Sequence, residues 1–105
     1  MTVVKRSKKH SAAELQQALD KFVEALKGQD EAEAVAELES IKADLANVEP
    51  GTDAFAKVVA AISEAFEEHE LGAYTFKPKT EEGSWGPADV LYVTSTQVLS
   101  LLKRF

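Results

Sequence analysis

AYTFKPKTEEGSWGPADVLYVT, residues 73–94, is the stretch whose reading decides the fold class. Ala73-Tyr74-Thr75-Phe76-Lys77 alternates aromatic and polar side chains, and Asp89-Val90-Leu91-Tyr92-Val93-Thr94 is β-branched and aromatic. Both have the composition of strands. The segment KPKTEEGSWGPA between them carries prolines and glycines and reads as a long loop. The expectation is therefore a β-hairpin with strands at about 73–79 and 88–94. A two-stranded hairpin alone is marginal in water, so it must lie on helices or recruit a third strand. Thr2 to Val4 is the spare β-prone segment within the chain, and pairing of the hairpin edge with a second copy, as a homodimer, is the other arrangement.

Upstream, the pattern is helical. GTDAFAKVVAAISEAFEEHELG, residues 51–72, places Phe55, Val58, Val59, Ile62 and Phe66 on one stripe at helical spacing. Thr52 is positioned as N-cap, Asp53 suits the first turn, and Gly72 stands where a left-handed cap is wanted. SAAELQQALDKFVEALKG, residues 11–28, carries a capping box from Ser11 to Glu14 and a stripe of Leu15, Leu19, Phe22, Val23 and Leu26. Between these two, Asp30 reads as the N-cap of a helix that Glu49-Pro50-Gly51 ends. Its seam is Ala34, Leu38, Ile41, Leu45 and Val48. Helices at about 11–27, 30–48 and 52–71 follow. At the other end, Thr94 or Ser95 is a candidate cap for a short helix at about 95–104, with Val98, Leu101, Leu102 and Phe105 on its core face. The fold class expected from the sequence is α+β: an antiparallel three-helix bundle, then a β-hairpin and a short C-terminal helix.

The chain has 105 residues, no cysteine and a net charge of -6. That length supports one core, read as a globular domain over residues 11–105 behind a basic flexible arm at 1–10. Without cysteine, disulfide frameworks, thiol chemistry and thiolate zinc sites are excluded. No long apolar run and no secretory-type start is present, so the expected address is cytoplasmic. Charge is segregated. Lys5, Arg6, Lys8 and Lys9 make the first ten residues basic, whereas residues 11–72 hold fifteen acids against four lysines. Such a body repels phosphates and membrane headgroups, and any contact with them would have to use the ends.

No catalytic constellation emerges. There is no G-x-S-x-G elbow, no glycine-rich phosphate loop, and the acids read as surface groups rather than an acid-base pair, so no enzyme is expected. The run Glu67-Glu68-His69-Glu70 does not read as a metal site. Adjacent helical side chains diverge by about 100°, and Ala65 and Phe66 stand at the positions where a local partner ligand for His69 would fall. Neither a metal nor another cofactor is expected. The three acids of that run nevertheless sit at a helix end whose carbonyls are already negative, which calls for a cation over it or a partner.

Binding to another protein is the function the residues favour, with the chain acting as a small adaptor or regulator. The candidate contact residues are Trp85, displayed in Gly83-Ser84-Trp85-Gly86-Pro87 as either a lid over the domain's own core or an anchor for a partner, the acidic stripe Glu33, Glu37 and Asp44 of the second helix, and the turn acids Glu67, Glu68 and Glu70. A basic partner suits them, and Lys42 is expected to pair with Glu39 on its own helix. The alternative is a nucleic-acid-binding regulator of winged-helix type, since three helices and a hairpin follow in that order. It would use Lys5, Arg6, Lys8 and Lys9 of the arm with Lys77 and Lys79 of the hairpin. Its third helix, which should enter the groove, is acidic, which counts against it.

Overall fold

The computed structural model describes residues 8–76 and 86–105, and every regular element among them is a helix or a helical turn. Four helices appear, α1 (Lys8–Leu26), α2 (Ala32–Ala46), α3 (Asp53–Glu68) and α4 (Pro87–Leu102), with a 3-10 turn over Leu71–Thr75. α1 lies between α2 and α4, α3 packs on α2, and the 3-10 turn is wedged between α3 and α4.

The expected hairpin is overturned. Among the described residues there is no strand: 71–75 form the 3-10 turn and 87–94 are the first half of α4. The α+β fold class therefore gives way to an all-helical one. The reason is local chemistry at both ends of the misread segment. Pro87 opens the helix at a position where a missing N–H costs nothing, and the Asp89 carboxylate accepts from the Gly86 N–H at 2.8 Å. Further along, Thr94 Oγ1 donates to the Val90 carbonyl at 2.7 Å and Ser95 Oγ to that of Tyr92 at 3.2 Å. Neither residue caps a helix; both are buried inside one, with their hydroxyls satisfied by its own backbone. Winged-helix architecture loses its wing by the same finding. The strand expected at Thr2 to Val4 lies outside the described residues.

The three upstream stripes form the core as expected. Leu15, Leu19, Phe22, Val23 and Leu26 of α1, Ala34, Leu38, Ile41 and Leu45 of α2, and Phe55, Ile62 and Phe66 of α3 are all buried, while Val48, Val58 and Val59 are partly so. α4 adds Leu91, Val98, Leu101 and Leu102. Full burial of each large side chain is worth about 1.5–3 kcal/mol. Ring contacts tie the elements together: Phe22 stacks on Phe66 with centroids 5.2 Å apart, Tyr74 meets Phe22 edge-on at 6.3 Å, and Phe55 meets Phe105 at 4.9 Å.

Helix ends differ from expectation in detail. α1 starts at Lys8, so Ser11 lies inside it, and α2 is preceded by Glu31 rather than Asp30 at the cap position. Thr52 does cap α3, accepting from the Phe55 N–H at 3.2 Å and donating to the Glu49 carbonyl at 2.7 Å. Ahead of it, Gly51 takes a φ of 87°, which a side chain would resist. At the far end the left-handed position falls on Glu70 (φ 54°, ψ 35°), two residues before Gly72. A side chain in that region is strained, and Glu70→Gly is expected to raise stability by up to about 1 kcal/mol in a denaturant melt.

Candidate functional site

The last turn of α3 turns its charged side chains to two sides. On one side Ser63, Phe66, Glu67 and Glu70 meet Gly72, Ala73 and Phe76 beyond the helix and Leu99 of α4. Together they line a groove of about 630 Å³. Its floor includes the buried Phe66 ring and the half-buried Leu99, and its acids are Glu67 and Glu70. Phe76 borders it at 77% exposure, the most exposed large apolar side chain described. A ring of that size left in water forgoes about 1.5–3 kcal/mol of burial.

On the other side the turn meets α2. The Glu37 carboxylate lies 2.5 Å from His69 Nε2, across a sequence separation of 32 residues. Glu68 joins them: one potential ligand atom from each of Glu37, Glu68 and His69 lies within 4.8 Å of the others. The hydrogen bond to Glu37 raises the His69 pKa above its ordinary value of 6.5; burial opposes this, and the charges of Glu37, Glu68 and Glu31 add to the rise. The imidazolium so favoured supplies the cation that the acidic helix end requires.

Because folding raises this pKa, the stabilisation is complete below about pH 6.5 and is lost as the pH climbs through the folded value. Glu37 is 39% exposed, so solvent screening limits the pair to about 1 kcal/mol or less. Glu37→Gln is accordingly expected to destabilise the protein by that amount near pH 6 in metal-free buffer and by almost nothing near pH 9. Denaturant melts at the two pH values check this.

The expected protein-binding residues thus separate. Glu67 and Glu70 line the groove, Glu68 and Glu37 face His69, and Glu33 and Asp44 stay exposed along α2. Trp85 lies outside the described residues, as do Lys5, Arg6, Lys77 and Lys79. Lys8 and Lys9 fall in the first turn of α1. Lys42 does not pair with Glu39: it bonds Asp20 of α1 at 2.6 Å, while Lys27, just past the end of α1, reaches Glu39 at 3.0 Å. These two bridges cross-link α1 and α2 and take Glu39 out of any open acidic face.

Three contributors were not singled out from sequence: Phe76 and Leu99 in the groove, and His69 as the partner of Glu37. Phe76 has the sequence surroundings of a strand residue. The other two act through contacts between distant parts of the chain, which local spacing does not reveal. Comparison with protein-family models, with characterised proteins and with solved structures finds no match to this chain. No helix among the described residues is long and apolar enough to cross a membrane.

Proposed function

We propose that this protein is a non-enzymatic binding module, a small adaptor or regulator, whose groove beside Phe76 receives a cationic, apolar-anchored segment of another protein. The observation that carries this reading is the exposed Phe76 ring bordering a groove that contains Glu67 and Glu70. An apolar groove with acids on it favours an occupant with one or two large apolar side chains flanked by Lys or Arg: the side chains fill the floor, and the cations meet the carboxylates. A net charge of -6 favours encounter with such a partner and disfavours acidic ones.

Selection of displayed peptides against the full chain tests it. Recovered sequences are expected to combine an aromatic or aliphatic anchor with basic flanks. Their affinity should fall at least about tenfold, or 1.4 kcal/mol, against Phe76→Ser and against the Glu67→Lys/Glu70→Lys double variant, and should weaken as salt rises. Trp85→Ala is the companion variant for the ring read from sequence as an anchor. Acidic peptides, or peptides that bind Phe76→Ser and the charge-reversed double variant as well as the parent, would overturn the reading. Self-association abolished by Phe76→Ser would replace the partner with a second copy of the chain.

A further inference from the structure

We infer that Glu37, Glu68 and His69 form a binding site for one divalent transition-metal ion of the zinc class. The site lies on the α2 side of the α3 terminus, on different side chains from those that line the groove.

The donor set differs from a patch of surface acids in containing an imidazole nitrogen. Carboxylate oxygens alone suit hard ions such as calcium or magnesium, whereas one imidazole with two carboxylates suits zinc or cobalt. Three protein ligands with a fourth position left to water is a common arrangement for zinc. The geometry is within reach of that coordination. Zinc bonds of about 2.0–2.2 Å in a tetrahedron hold neighbouring ligand atoms about 3.3–3.6 Å apart. The three atoms here already lie within 4.8 Å of one another. His69 Nε2 and Glu37 Oε2, now 2.5 Å apart, would separate by about 1 Å, and Glu68 would close in. Glu68 is exposed and free to do so, while the backbone of His69, the residue that caps α3, is held by its main-chain N–H donating to the Ala65 carbonyl.

The hydrogen bond that now joins Glu37 to His69 marks where the ion would enter. A proton bridges a carboxylate and an imidazole nitrogen at that point, and a divalent ion replaces it as the shared cation, releasing the proton to water. The surroundings favour the exchange. His69 also lines a depression of about 350 Å³ with Asp30, Glu31 and Glu33, which gives an approach path of negative potential. Bound there, the ion would fasten α2 to the end of α3.

Titration of the tag-free full chain with zinc chloride, followed by calorimetry, tests the inference, with cobalt chloride as a spectroscopic probe. One equivalent of zinc is expected to bind, cobalt should show the visible absorption of a low-coordinate site, and the melting temperature should rise with zinc. Glu68→Gln, at an exposed position, leaves folding intact. It should lower zinc affinity at least about tenfold, the lower end of what even an outer-shell change costs a metal site. His69→Gln should abolish the one-equivalent binding, and His10→Ala, the control for the other histidine, should leave it unchanged. The inference is overturned if zinc binds at no defined stoichiometry, if binding survives Glu68→Gln and His69→Gln undiminished, or if it follows His10.

Discussion

Phe22→Ala is expected to lower the free energy of unfolding by about 3–5 kcal/mol, a large share of the 5–15 kcal/mol typical of a domain this size. Phe22 is fully buried on α1 and is the residue through which three elements meet. Its ring stacks on Phe66 of α3 at 5.2 Å, with planes 28° apart, and takes the edge of Tyr74 from the 3-10 turn. Truncation removes the transfer energy of the ring and leaves a cavity that a helix framework fills only in part. The loss should reach the groove as well, because Phe66 is part of its lining and Tyr74 anchors the turn that presents Ala73 and Phe76. Phe22→Leu, which keeps most of the volume, should cost much less in both stability and peptide affinity. Urea denaturation of the three proteins measures the first effect. A loss below about 1.5 kcal/mol for Phe22→Ala would show that the ring is not the hub of the core.

Leu91→Ala and Val93→Ala form the second test, because their contrast distinguishes a helix from a strand. Residues two apart share one face of a strand and lie on nearly opposite faces of a helix. Leu91 is buried at 2% exposure, whereas Val93 is 44% exposed. Leu91→Ala is expected to cost about 2–5 kcal/mol and Val93→Ala within about 0.5 kcal/mol of nothing. Comparable losses from the two would restore the strand. Denaturant melts of both variants supply the answer.

The misreading of this segment has an identifiable physical source. Leu91, Thr94, Ser95, Val98, Leu101 and Leu102 are the buried positions of α4, and their spacing of 3, 1, 3, 3 and 1 is helical. Two of the six are hydroxyl residues, so an apolar pattern read from sequence breaks in the middle and leaves a β-branched fragment on one side. The helix tolerates them because each hydroxyl finds a carbonyl within its own turn. The start signal is in the chain too: a glycine, a proline and an acid three residues after the glycine, at Gly86, Pro87 and Asp89, residue types that serve a loop equally well. α1, α2 and α3 have no such interruption, and their core faces were legible residue by residue.

The site was legible only in halves. That the end of α3 needed a cation followed from Glu67, Glu68 and Glu70 at a negative helix terminus. Which cation did not, since His69 stands in the same run and its carboxylate partner comes from α2. The groove combines the end of α3 with Phe76 and with Leu99, 23 positions later in the chain, and such a surface exists only once α4 is known to be one helix. The role of the acidic turn rests on that helix: Leu99 joins the floor of the groove that Glu67 and Glu70 line, and it does so from an α4 that runs unbroken from Pro87.

Backbone 13Cα secondary chemical shifts of Ala88 to Thr94 in the full-length protein therefore test the account at its centre. An uninterrupted series of positive, helical shifts continuing into Ser95 to Leu102 is the expected result. Negative shifts over Asp89 to Thr94, as extended backbone gives, would contradict the all-helical fold and remove the groove with it.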